Sequence, residues 1–178
     1  LRHIDLFGTV LLPAVLLVLP PHFVFGWAKP VPVAFHRLGN PRRDMILVAL
    51  AGPGINLALA IVSGWLLRWV DLLPPTLADW IGTNLYNSLF LNSLLMMFNL
   101  LPLPPLDGGR VLLGLLPMPL AAPFARLERW GLLILLAALF LLPMLGEQIG
   151  INLNLFAQLV LRPALWLFHG IESVMELR

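Results

Sequence analysis

The sequence contains no cysteine among its 178 residues, and only 11% of its residues are charged. The absence of cysteine excludes disulfide bonds, iron–sulfur clusters and zinc sites built from thiolates. Soluble domains carry about 25% charged residues, so the low charge content excludes an ordinary water-soluble globule. Hydrophobic residues make up 60% of the chain, which leaves room for several membrane-crossing segments of about 20 residues each.

Five apolar runs predict an all-α polytopic membrane protein with about five transmembrane helices. They cover residues 6–25, 45–70, 81–101, 130–145 and 151–168. Basic residues occur in the connections 26–44 and 110–129 but not in 71–80 or 146–150. Because short cytoplasmic loops are enriched in Lys and Arg, we expect the first pair to face the cytoplasm and the second pair the opposite side. Since the basic residues are scattered, we expect a lipid bilayer as a partner and no nucleic acid.

The third apolar run carries polar side chains at helical spacing. Asn84, Ser88 and Asn92 follow one another at intervals of four residues, and Asn99 comes seven residues later. This spacing places them roughly on one face of a helix. Hydrogen bonds between neighbouring helices are one interpretation. A functional site is the other, because polar groups are costly inside a bilayer.

The second apolar run contains small residues one helical turn apart. Gly52, Asn56 and Ala60 are spaced by four residues, and small residues at this spacing allow helices to approach closely. Packing therefore explains the glycine, whereas the role of Asn56 stays open.

Asp107 lies just after the third apolar run, among three prolines and two glycines. Asp-Gly is a favoured pair in turns, so this residue is compatible with a simple turn. A carboxylate at a membrane edge that faces a polar helix is equally a candidate functional group. Both interpretations remain open from the residues alone.

The segment that follows the first apolar run contains Pro30 and Pro32, which exclude a helix there. In an extended strand these prolines remove the hydrogen-bond donors of one edge, while Val31 and Val33 keep the donors of the other. Such a segment suits the addition of a peptide as a further strand. A polyproline loop on the membrane surface is the alternative.

Histidine patterns typical of zinc enzymes are absent. The chain has no His-x-x-x-His pair and no His-Glu dipeptide, whereas a catalytic zinc site needs about three protein ligands. His3-Ile4-Asp5 is the one local cluster of histidine and carboxylate. It is more typical of a polar surface than of a ligand set.

Four segments nevertheless resemble, in the same order, motifs of the site-2 proteases, which are intramembrane zinc metalloproteases. The segments are His3–Thr9, Phe25–Pro32, Asn40–Asn56 and Asn99–Arg110. The last is similar to the family motif Asn-x-x-Pro-x-x-x-Leu-Asp-Gly. Together they extend over about residues 1–115, and they are most similar to the small bacterial branch that lacks an inserted PDZ domain.

The resemblance implies a single membrane-embedded peptidase-like domain over residues 1–178, with the helix and Asp-Gly motif at 81–110. Asp107 is then expected to bind Zn²⁺, and Asn99 is expected to be a catalytic residue that contacts the scissile peptide. A membrane-associated β-hairpin or re-entrant loop is expected at 26–38, where it would bind an unwound substrate strand. The expected substrate-binding residues are Val31, Val33 and Asn56.

One part of the family pattern is not in this sequence. The His-Glu-x-x-His helix supplies two zinc ligands and the Glu that activates the zinc-bound water, and by its order in the family it is expected before residue 1. We therefore expect this chain alone to be inactive. The full-length protein is expected to cleave transmembrane segments of membrane proteins in the bacterial inner membrane. The alternative is a non-catalytic scaffold or pseudoprotease that binds membrane peptides.

Overall fold

A computed structural model describes residues 39–176 of the chain. Residues Asn40–Arg178 form one compact unit. Seven α-helices occur within the described range: α1 Pro41–Leu67, α2 Pro75–Asn99, α3 Asp107–Leu115, α4 Met118–Arg126, α5 Glu128–Leu136, α6 Leu142–Ile149 and α7 Arg162–Met175. A 3₁₀ turn (Val70–Leu72) links α1 to α2, and π-helical turns at Ala137–Leu141 and Ala157–Leu161 precede α6 and α7.

The start of α1 is fixed by its capping residues. The Asn40 side chain accepts a hydrogen bond from the Arg43 backbone N–H, and Asp44 accepts one from the Asn40 backbone N–H. Pro41 is the first helical residue, where the missing N–H of proline costs nothing. The helix therefore begins at Pro41, four residues before the start of the apolar run at residue 45.

Helices α1 and α2 form an antiparallel pair. The Ser63 hydroxyl donates a hydrogen bond to Oγ of Ser88 over 2.8 Å. Gly82, near the start of α2, packs against Val70 just beyond the end of α1, since a Cβ at Gly82 would lie 3.4 Å from that side chain. The register of these contacts brings the end of α2 beside the middle of α1.

Helix α3 packs back along the first half of α1. The Arg42 guanidinium donates a hydrogen bond to the carbonyl oxygen of Leu116, at the end of α3, over 2.9 Å. One turn further along α1, Ile46 faces Gly114, where an added Cβ would lie 2.5 Å from Cγ1 of Ile46. These contacts make α3 antiparallel to α1 and direct the first residue of α3 towards the middle of α1.

Helix α7 covers the other side of α2. Phe168 is 2% exposed, and its ring meets the rings of Tyr86 and Phe90 edge to face, with centroids 5.1 and 5.9 Å apart. It forms the main core cluster with Ala60, Leu89 and Ile171. Burying apolar surface of this kind is the main favourable contribution to folding.

Helices α5 and α6 continue through a π-helical turn into one apolar helix, Glu128–Ile149. Gly150 ends it with a left-handed backbone conformation (φ 71°), which glycine adopts without strain. The chain then turns back: Asn154 accepts a hydrogen bond from the Ala157 backbone N–H over 2.9 Å. Phe156 packs edge to face on Phe98, near the end of α2, with ring centroids 6.5 Å apart.

Two helices of the described range are long and apolar enough to cross a membrane, namely Pro41–Leu67 and Glu128–Ile149. Only 17% and 11% of their most apolar stretches are buried inside the structure. Such exposure is unlike the core helix of a water-soluble protein and suits contact with lipid. Trp65 and Trp69, at the end of α1, are half exposed, as is common for aromatic residues at a membrane surface.

The predicted fold class, about five transmembrane helices with a β-hairpin, is wrong for the described range. Two candidate spans occur there, where four were expected. Helix α2 is interrupted by Asn and Ser along its length, and α7 has only 14 residues, so neither is both long and apolar enough. Residues 39–176 contain no strand. The predicted hairpin at 26–38 and the apolar run at 6–25 lie outside the described residues.

Candidate functional site

Asp107 is the first residue of α3, and a tight loop holds it in place. The loop returns from the end of α2, and its Leu106 precedes the helix with an extended backbone and no side-chain cap. Gly108 and Gly109 are both buried. A Cβ at Gly108 would overlap the backbone of Leu100, and a Cβ at Gly109 would overlap the backbone of Pro104. The two glycines after Asp107 are therefore required for the loop to fold over the helix start.

The Asp107 side chain points towards Gly52 of α1. An ideal Cβ at Gly52 would lie 2.7 Å from Oδ2 of Asp107, so the carboxylate occupies the space that a side chain there would need. Within residues 39–176 this carboxylate accepts no hydrogen bond and forms no ion pair. A half-buried carboxylate without a partner is available to bind a cation or a proton.

Two features near Asp107 favour a negative charge on its carboxylate. Arg110, three residues further along α3, provides a positive charge that interacts with it. Asp107 also lies in the first turn of α3, where the helix dipole is positive.

Asn99 ends α2 and is half buried. The antiparallel register of α1 and α2 places it at the level of Gly52, and the next residue, Leu100, contacts Gly108. The structure therefore brings Asn99 and Asp107 to the same end of the helix pair. The Asn99 amide forms no hydrogen bond within the described range, which leaves it free to bind a ligand.

Asn56 lies one turn beyond Gly52 on α1, about 6 Å further along the helix axis. Its side chain is half buried and forms no hydrogen bond within residues 39–176. It is therefore near the Asp107 site, on the same side of α1 as Gly52. Val31 and Val33 lie outside the described residues.

Other polar residues of α2 have structural roles. The Asn92 amide donates to the carbonyl oxygen of Ser88 over 2.8 Å, and Ser88 accepts the hydroxyl of Ser63. Asn84 donates to the carbonyl oxygen of Trp80 over 2.7 Å. The interpretation as hydrogen bonding between helices is thus correct for Ser88, whereas Asn84 and Asn92 bond within their own helix.

A zinc site needs about three protein ligands, and the described residues supply one at this position. No group of three His, Asp or Glu residues that could hold a metal occurs within residues 39–176. The histidine of this range, His169, pairs with Glu172 on α7 over 2.8 Å. Asp107 fits a zinc ligand because it is an unpaired oxygen donor, but the described residues do not complete a site.

The contact between Gly52 and Asp107 was not predicted from the sequence. The spacing of Gly52, Asn56 and Ala60 indicates packing between helices, and Ala60 is indeed fully buried. Gly52, however, makes room for a carboxylate rather than for a second helix. Nothing local to Gly52 signals this, because the partner is 55 residues away in the chain and its position depends on how α3 packs.

Two curated proteins are similar to this chain. "Putative zinc metalloprotease YwhC" of Bacillus subtilis is 37% identical over 148 residues, which cover 81% of this chain and 64% of that protein. "Putative zinc metalloprotease MJ0611" of Methanocaldococcus jannaschii is 42% identical over 65 residues, or 36% of this chain and 31% of that protein. The chain thus spans less than two thirds of the length of either relative. No family model matches the chain, and no solved structure matches it significantly.

Proposed function

We propose that this chain, which is similar to two proteins named "putative zinc metalloprotease", forms part of an intramembrane zinc metalloendopeptidase. The expected substrates are transmembrane segments of other membrane proteins. The relatives' names support the metalloprotease activity, and the resemblance to a zinc metalloprotease family is confirmed. Cleavage within the membrane is the further step of this proposal, and the activity belongs to the whole protein.

The observation that carries the proposal is the position of the Asp107 carboxylate. It has no partner within the described range and lies against Gly52 of an apolar helix. Polar groups beside membrane-spanning helices are costly, so an unpaired carboxylate at such a place is a functional group by default. A metal ion would provide the missing partner.

The depth of this carboxylate supports action inside the bilayer. Gly52 is the twelfth of the 27 residues of α1, about 17 Å from the first at 1.5 Å per residue. The hydrocarbon core of a bilayer is about 30 Å thick. Leu47, Ile55 and Leu59 flank this level and are 58%, 61% and 48% exposed, which suits contact with lipid tails.

The residues of the site have distinct roles in this proposal. Asp107 holds the metal through its carboxylate, and Gly52 provides the space for it. Asn99 donates a hydrogen bond to the peptide to be cleaved, and Asn56 contacts the substrate chain further along α1. Zinc, when bound, polarises the peptide carbonyl and lowers the pKa of its bound water. The remaining ligands and the general base are expected from a His-Glu-x-x-His helix.

Zinc content and peptide cleavage of the purified full-length protein test the proposal. The substrate is a synthetic single-span peptide in phosphatidylethanolamine–phosphatidylglycerol vesicles, and its products are identified by mass spectrometry. We expect the wild type to bind zinc and cleave, and Asp107→Asn to lose both. Asp79→Asn removes an exposed carboxylate at the other end of α2 and is expected to keep both.

Two results would contradict the proposal. If Asp107→Asn retained both zinc and cleavage at the wild-type level, the carboxylate would not be a ligand. A wild-type protein that binds the peptide but neither holds zinc nor cleaves would instead be the non-catalytic scaffold.

A further inference from the structure

An apolar cavity of about 250 Å³ lies on the far side of the loop that leads to Asp107. We call it the π-turn cavity. One wall is the loop segment Leu101–Leu103, which begins two residues after Asn99. The opposite walls come from the helix Glu128–Ile149 and from the chain that leads into α7. The lining is almost wholly apolar, so a bound molecule must itself be apolar.

Both π-helical turns of the described range open onto this cavity. Ala138 and Leu139 belong to the turn Ala137–Leu141, and Leu159 and Val160 belong to the turn Ala157–Leu161. A π-helical turn is rare and occurs frequently at functional sites, because it interrupts regular helical hydrogen bonding. Two such turns facing one cavity are a second sign, independent of its volume, that the cavity has a function.

The cavity and the candidate active site share a short segment of the chain. Leu101–Leu103 connects Asn99, which ends α2, to the turn that carries Asp107. The wall of the cavity is therefore the same segment that places both candidate site residues.

The size and chemistry of the cavity select the occupant. An apolar cavity of about 150 Å³ is enough to bind benzene, so 250 Å³ accommodates one large aliphatic or aromatic side chain but not a whole helix. We propose that the π-turn cavity binds one large apolar side chain of the substrate, next to the peptide bond that is cleaved. This inference rests on the proposed function and adds a side-chain preference to it.

The test compares cleavage of single-span peptides by the full-length protein in vesicles. Mass spectrometry first locates the cleaved bond, and each flanking position is then changed in turn to Ala, Leu or Phe. We expect one position at which Leu or Phe raises kcat/KM at least about tenfold over Ala, the usual discrimination of an apolar pocket. Ala138→Phe, which fills the cavity, should reduce that ratio to about one while the Ala peptide is still cleaved.

Two further variants make the result specific. Ala137→Phe adds the same ring one residue earlier in the same turn, at a position that does not line the cavity, and should keep the preference. Leu139→Ala enlarges the cavity and should shift the preference from Leu towards Phe. If Ala138→Phe folds poorly, this second shift still tests the proposal.

Each other outcome overturns the inference. Equal cleavage of Ala, Leu and Phe peptides by the wild type means that no such pocket acts, although the proposed function stands. An equal loss for all peptides in Ala138→Phe, with the ratio unchanged, identifies a cavity filled by lipid or needed only for folding. A zinc-loaded wild type that cleaves no peptide overturns the proposed function together with this inference.

Discussion

The carboxylate of Asp107 occupies the space that a side chain at Gly52 would fill, since a Cβ there would lie 2.7 Å from Oδ2. This contact joins two helices that are far apart in the sequence, and it fixes the carboxylate beside the middle of an apolar helix. The position of the candidate metal ligand therefore depends on glycine, which has no side chain, at position 52.

Gly52→Ala is expected to displace the Asp107 carboxylate and to weaken zinc binding by about 10- to 100-fold, as for other residues that orient a ligand. Alanine is the better helix former, so the protein should remain folded. The matched control is Gly54→Ala on the same helix, where an added Cβ meets nothing within 4 Å. Equal zinc affinities in competition with a chelator would show that the contact does not position the ligand.

Asn99→Ala is expected to retain zinc but to lower kcat/KM for peptide cleavage by about 10²-fold, the usual cost of removing one hydrogen-bond donor to a reacting group. Asn84→Ala is the control, because that amide bonds to the carbonyl oxygen of Trp80 at the other end of α2. Zinc content and cleavage rate are measured on the same samples. A parallel loss of zinc in Asn99→Ala would indicate a structural role instead.

Gly114→Ala is expected to destabilise the packing of α3 on α1, because its methyl group would lie 2.5 Å from Cγ1 of Ile46. Overpacking of this kind costs about 1–3 kcal/mol. Ile46→Ala removes the atoms that the new methyl group would meet. Gly114→Ala should therefore cost less stability in the Ile46→Ala background than in the wild type. Thermal unfolding of the four proteins measures the coupling, and strictly additive effects would contradict it.

Arg42→Met is expected to lower stability by about 1 kcal/mol, because the guanidinium donates a hydrogen bond to the Leu116 carbonyl oxygen at the end of α3. Arg43→Met removes the same charge from the next residue, whose side chain forms no hydrogen bond within residues 39–176. Unfolding in denaturant compares the two. Equal losses would mean that the charge matters and the hydrogen bond does not.

Cysteine labelling tests whether α1 crosses the membrane. The 27 residues of α1 extend about 40 Å, so its ends should reach opposite surfaces of a bilayer whose hydrocarbon core is about 30 Å thick. The sequence has no cysteine, and single variants Arg43→Cys and Asp71→Cys place a thiol beside each end. A membrane-impermeant maleimide should label one of them in sealed vesicles and both after detergent is added. Labelling of both in sealed vesicles would exclude a transmembrane α1.

The sequence predicted the apolar helix α1 well, because its length and hydrophobicity are local properties. The prediction of α2 as a transmembrane helix is wrong. The Asn and Ser residues that indicate a polar face also make this helix too polar to be a candidate membrane span.

For the site, the sequence singled out Asp107, Asn99 and Asn56, and the structure places all three near Gly52. Their roles stay predictions. Three features could not be predicted: the contact of Gly52 with the Asp107 carboxylate, the packing of Gly114 against Ile46, and the apolar cavity beside Leu101–Leu103. Each depends on packing between residues that are distant in the sequence, and neither periodicity nor motifs report such packing.

The most direct test of the central claim is the position of zinc in the full-length protein, located by anomalous X-ray scattering at the zinc absorption edge. The account predicts one zinc ion about 2.0–2.2 Å from a carboxylate oxygen of Asp107, the usual zinc–oxygen distance. It also predicts the loss of this peak in Asp107→Asn. A zinc ion bound elsewhere, with the Asp107 carboxylate far from any metal, would contradict it.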